Sequence, residues 1–103
     1  MTVIGLTEQK EAVIQAVLAV YGLTRKQVKS RARTSSISQA RFVIWHHLRN
    51  DLGMTLKEIG TEYDRHHSDI IHGLRRIKQL NKENRLVSDR TRKVRKILKE
   101  GTL

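Results

Sequence analysis

Residues 65–69 read Arg-His-His-Ser-Asp, and a further imidazole follows at His72. Together these side chains can both donate and accept hydrogen bonds. That mixture suits the reading of base edges. An arginine can donate to guanine O6 and N7, and a carboxylate can accept from cytosine N4. Metal binding fits poorly. His66, His67 and His72 do not have the i, i+4 spacing of a helical zinc pair, and no HExxH occurs. The chain has no cysteine, which excludes a disulfide framework and cysteine-ligated zinc. No metal or cofactor is expected. There is no GxxxxGK[ST], no GxSxG and no paired-carboxylate constellation, so neither an enzyme nor a small-molecule substrate is expected.

The elements on either side would position these residues. Thr55 with Glu58 three residues on forms a capping box, followed by Leu56 and Ile59 on a short helix. Tyr63, Asp64 and Arg65 interrupt the pattern. Ile70, Ile71, Leu74 and Ile77 then recur at helical spacing, with Ile71 and Leu74 expected to be buried. A short capped helix, a turn and a longer amphipathic helix are the layout of a helix-turn-helix. Arg65, His66, His67, Ser68 and Asp69 fall at the start of its second helix, where base-reading residues belong.

The remaining chain predicts more helices. Thr7 is placed to cap a first one, with Val13, Ile14, Val17, Leu18 and Tyr21 inward and Gly22 at its end. Thr24 and Gln27 form a second capping box over a short helix containing Val28. Residues 29–38 read as a solvated basic loop, in which Lys29, Arg31 and Arg33 could lie along phosphates or enter a minor groove. Ser38 is placed to cap a third helix ending at Gly53, with Val43, Ile44, His47, Leu48 and Leu52 buried and Phe42 or Trp45 at the margin. Residues 81–88 read as a connector. Ser88 then caps a last helix with Val94, Ile97 and Leu98 inward and a cationic outer side. The expected fold is all-α, a single domain over residues 1–103 in five to six helices.

Composition agrees with this reading. Lys and Arg number 21 against 10 Asp and Glu, for a net charge of +11 and a sequence pI near 10.8. Polyanionic partners follow, nucleic acid first and an anionic membrane surface second. The excess lies mostly in residues 24–52 and 82–103, which flank the helix-turn-helix. No apolar run approaches the ~18 residues of a membrane span, and nothing resembles a signal peptide. A cytoplasmic, nucleoid-associated protein is expected. Charge alone does not separate duplex DNA from RNA or non-specific binding. A protein-interaction module that blocks or recruits a replication protein is the rival from another class.

Residues 17–77 resemble the C-terminal DNA-binding domain of the bacterial replication initiator DnaA. Residues 17–34, VLAVYGLTRKQVKSRART, resemble its opening helices and basic loop, and TLKEIG resembles the first helix of its helix-turn-helix. The segment DRHHSDIIHGLRRI resembles its signature, GRDHTTVxHAxxKI. Arg65, His67, His72 and Ile77 match, Ile70 matches as an aliphatic in place of valine, and Ser68 replaces a threonine conservatively. The resemblance implies a compact fold of the Trp-repressor helix-turn-helix group that binds double-stranded DNA. It implies that Arg33 or Arg31 enters the minor groove and that His66, His67, Ser68 and Asp69 face the major groove. It also implies that the Thr55 helix start (Thr55, Leu56 and Lys57), His72 and Arg76 meet phosphates, with Lys29 nearby in the basic loop. Two departures fall among the family's base-reading positions: His66 replaces an aspartate and Asp69 a threonine. No ATPase segment precedes the domain in this sequence. The expectation is a module working alone or an excised domain, monomeric or weakly dimeric, that regulates replication or transcription.

Overall fold

A computed structural model describes residues 5–101. Six helices follow one another: α1 Leu6–Tyr21, α2 Arg25–Lys29, α3 Ser35–Asn50, α4 Leu56–Tyr63, α5 His67–Glu83 and α6 Arg85–Glu100. No strand occurs among the described residues. The all-α expectation holds.

Helix α3 is the centre of the molecule. It packs against α1, α2, α4 and α5, while α6 lies across α1 and α5. Its sequence explains that position. Ile37, Ala40, Val43, Ile44, Trp45 and Leu48 are all buried, so apolar side chains cover more than one stripe of the helix. Trp45 is therefore a core residue rather than a marginal one. Burying its large ring requires space, and α5 supplies it at Gly73. A Cβ on Gly73 would stand 2.6 Å from Phe42 Cδ1 and 2.7 Å from Trp45 Cε3. The backbone of α5 thus rests on the Phe42 and Trp45 rings.

Local capping sets the helix boundaries. Both expected capping boxes form. Gln27 N–H donates to Thr24 Oγ1 at 3.2 Å, and Thr24 N–H donates to Gln27 Oε1 at 2.8 Å. The corresponding distances in the Thr55–Glu58 pair are 3.0 and 2.9 Å. Gly22 takes the left-handed conformation at φ 64° and closes α1 on Leu18.

Several boundaries and faces differ from the sequence reading; in α3, besides Trp45, Leu52 lies past the helix end and is only half-buried. Helix α1 begins one residue before Thr7, with Gly5 as its N-cap. Helix α3 begins at Ser35, not after Ser38, because buried Ile37 and Ala40 extend its apolar face one turn backwards. It also ends before Gly53, which sits in the following turn with φ 68°. There is no 81–88 connector. Asn84 closes α5 through its own N–H to Leu80 O, and its side chain accepts from Val87 N at 3.2 Å to open α6. One asparagine caps both helices, so Ser88 lies inside α6. In α5 the buried set is Ile70, Gly73 and Ile77, with Ile71 and Leu74 only half-buried. In α6, Val94 is buried but Ile97 is 40 % exposed. In α1, Tyr21 is half-buried, its ring covered by the Arg90 guanidinium at 4.9 Å.

Candidate nucleic-acid interface

The turn between α4 and α5 is short because its geometry is prepared at three residues. Asp64 adopts φ 52°, ψ 52°, a left-handed conformation that ends α4. Arg65 N–H then donates to Gly60 O at 2.8 Å. A Cβ on Gly60 would lie 2.6 Å from the Arg65 carbonyl oxygen, so glycine is what lets the returning chain pass this closely. His66 is the N-cap of α5. Its Nδ1 accepts from Ser68 N–H at 3.2 Å and lies 2.8 Å from Ser68 Oγ. Its ring also stacks near His67, with centroids 4.2 Å apart.

An imidazole is an unusual cap, since aspartate, asparagine and serine are the favoured residues. His66→Asp should therefore raise folding stability by about 0.5–1 kcal/mol, through a better acceptor and a negative charge at the helix start. Urea denaturation measures this. An unchanged midpoint would mean that Nδ1 caps as well as a carboxylate.

His67, Ser68 and Asp69 are exposed on the first turn of α5. Beside them lies the basic loop, which is shorter than expected: Lys29 ends α2 and Ser35 starts α3, leaving residues 30–34. This loop is fastened down. Arg41, only 5 % exposed, donates from Nε to Val28 O at 3.1 Å. Its Nη2 donates to Ser30 O at 2.7 Å and Ala32 O at 3.2 Å. Arg65 Nη2 also donates to Ser30 O, at 3.0 Å. Arg31 reaches the backbone carbonyl and the carboxylate of Asp64. The Arg31 and Asp64 side chains are 70 % and 97 % exposed, so this ion pair is weak and exchangeable. Guanidiniums are used here as forked donors to carbonyls, a geometry lysine cannot supply.

Electrostatically, the result is a shallow cleft between loop and helix. Arg31, Arg33, Arg41 and Arg65 surround it, Asp69 and His72 close it on the α5 side, and Phe42 and Trp45 line its floor. A second shallow cleft carries Lys57, Thr61 and Asp64 and runs on to His66 and His67, meeting the first at Arg65. Burial first, and then the neighbouring Arg65 charge, pull the Arg41 pKa below its ordinary value.

The other sequence-selected residues fall as follows. Thr55 is the N-cap of α4, with its hydroxyl occupied by Glu58 N–H; Leu56 is half-buried and Lys57 exposed on the first turn. His72 is exposed, with its ring edge-on to Phe42. Arg76 is exposed one turn further along α5. Lys29 is engaged by the fold itself: its ammonium lies 4.1 Å from the centre of the Tyr63 ring and donates to Glu62 O at 2.9 Å. Desolvation there lowers its pKa. Sequence spacing alone does not single out Arg41. The available signal was its place within an otherwise apolar helical face, between Ile37 and Ala40 on one side and Ile44 on the other.

A tight two-helix turn, an exposed polar first turn and an arginine-lined cleft beside it define a helix-turn-helix domain with a cationic recognition face. Residues 10–77 match the model of the bacterial dnaA protein helix-turn-helix, and the chain belongs to that family. Among curated proteins it is similar to the chromosomal replication initiator protein DnaA of Oleidesulfovibrio alaskensis, 29 % identical over 77 residues. That alignment covers 74 % of this chain and 17 % of the relative. It is also similar to the protein of the same name from Pseudothermotoga lettingae, 19 % identical over 78 residues, covering 76 % of this chain and 18 % of the relative. The chain thus spans less than a fifth of the length of these relatives.

Proposed function

We propose that this domain binds double-stranded DNA sequence-specifically and regulates replication or transcription. The first turn of α5 enters the major groove. There Arg65, His66, His67, Ser68 and Asp69 face base edges. The 30–34 loop follows the backbone into the adjacent minor groove with Arg33, or else Arg31. Lys29, the Thr55–Lys57 helix start, His72 and Arg76 supply phosphate contacts on either side. The observation that carries this reading is the arginine cleft seated directly against an exposed polar helix start. Base contact and backbone contact are then available from one surface. Family membership supports it independently.

Asp69 gives the sharpest test. Its carboxylate does nothing for phosphate attraction, yet it stands in the cationic cleft. Acceptance from cytosine N4 or adenine N6 accounts for it. Asp69→Thr should change the preferred sequence at one or two positions, shifting discrimination by roughly 1–3 kcal/mol. Parallel site selections from a random duplex library, at one salt concentration, measure this. An unchanged preference with uniformly tighter binding would reduce Asp69 to an acid placed for the helix dipole.

A further inference from the structure

The helix-turn-helix face uses only part of the chain's positive charge. A second concentration lies on α6, which packs on α1 and α5. Helix α5 leads from one face to the other. Its 17 residues place the start of α6 roughly 25 Å from the recognition turn. Along α6, Arg85, Arg92, Lys93, Arg95 and Lys96 are exposed. Lys93 and Lys96 line a shallow groove with Arg90 and Arg92, walled at one end by Val20 of α1 and the 59 % exposed Leu86. One carboxylate, Asp89, sits in this groove, 3.5 Å from Arg92.

We propose that this α6 face is a second, sequence-independent binding surface for duplex DNA, which lets one chain hold two duplex segments. The inference rests on the proposed DNA binding of the helix-turn-helix face. Charge complementarity names a polyanion, and the surface chemistry narrows it. Helix α6 spans about 24 Å, a length over which a duplex presents roughly 14 phosphates. Its exposed cations include the point charges of Lys93 and Lys96, which suit phosphate attraction without base readout. Single strands are held largely by stacking on aromatic rings. The ring nearest this groove, Tyr21, is half-buried beneath Arg90. A protein partner would be anchored by aromatic or aliphatic side chains at the centre of the patch. The exposed large apolar side chains of α6, Leu86 and Ile97, lie in its first and last turns and not at its centre.

The test uses the whole chain and two labelled duplexes. One carries the site selected for the helix-turn-helix face, and the other is an unrelated 20-base-pair sequence. Transfer between donor and acceptor dyes reports their joining, and sedimentation gives the stoichiometry. The expected wild-type complex holds two duplexes per chain. The variant Lys93→Ala/Lys96→Ala, checked for an unchanged melting temperature, should bind the selected duplex as before and lose the second by about tenfold. The salt slope of that second step should fall by about 2. Conversely, Arg33→Ala should weaken the first duplex and leave the second in place. Saturation at one duplex per chain would overturn the inference while leaving the helix-turn-helix reading intact. So would an α6 variant that still joins two duplexes, or a second site that takes polyglutamate or single-stranded RNA in preference to duplex. Loss of all duplex binding in the α6 variant, with none in Arg33→Ala, would instead overturn the helix-turn-helix reading and with it the two-segment arrangement.

Discussion

Ile70→Ala is expected to cost about 2–5 kcal/mol of folding stability. Ile70 is the first apolar residue of α5 and is fully buried. It lies one residue beyond Asp69, so the same turn that presents polar groups outward is anchored inward through Ile70. Truncation removes buried methyl groups and leaves a cavity beneath the recognition turn. Neighbouring Ile59 and Tyr63 belong to the same core, and the polar groups above it cannot fill the space. Urea denaturation reads the loss. A cost below about 1 kcal/mol would mean that α5 presents a different face to the core. For comparison, Leu74→Ala should cost less, because Leu74 is only half-buried.

Arg41→Ala should be the most damaging polar substitution. It removes one buried cation that donates to three backbone carbonyls. Hydrogen bonds to charged groups contribute about 1.5–3 kcal/mol each, but loop relaxation and water recover part of the sum. A net cost of about 2–3 kcal/mol follows. The second effect is on binding. Without Arg41, the Ser30 carbonyl keeps only the donor from Arg65, and the 30–34 loop loses its fixed path beside α5. Duplex affinity should therefore fall although Arg41 need not touch DNA. Arg41→Lys should restore little, since the donors of an ammonium sit on one nitrogen, whereas Arg41 meets these carbonyls from two, Nε and Nη2. Unfolding curves and duplex titrations on both variants check this. Full stability and affinity in Arg41→Ala would refute the clamp.

Much of this was legible in residue spacing. Both capping boxes, the helix-turn-helix and its exposed first turn follow from Thr24, Gln27, Thr55, Glu58 and the α5 apolar set. What was not legible depends on contacts distant in sequence. Gly73 stands where the family signature carries alanine, and the need for glycine is visible only once Trp45 and Phe42 lie against it. Asp64 stands where the signature carries glycine, and it holds the left-handed turn nonetheless. Asn84 gave no sign that it serves two helices, because a residue that closes one and opens the next looks like a connector. The sequence overstates the length of the basic loop for a simpler reason. Ile37 sits among serines, and one apolar residue gives no period. As for the site, His66, His67, Ser68 and Asp69 are exposed as a helix start implies, whereas the half-burial of Arg65 and the fastening of the loop by Arg41 and Arg65 need the folded chain.

Salt dependence of duplex affinity is the most direct test of the central claim. Arg31, Arg33, Lys57, Arg65 and Arg76, in the grooves or at phosphates, are each taken to displace about one counterion. In the Lys93→Ala/Lys96→Ala background, which weakens the α6 surface, the log–log slope of affinity for the selected duplex against salt should be roughly −4 to −5. A scrambled duplex should bind more weakly at every salt concentration. A slope near zero, or equal affinity for the selected and scrambled duplexes, would contradict sequence-specific DNA binding by this domain.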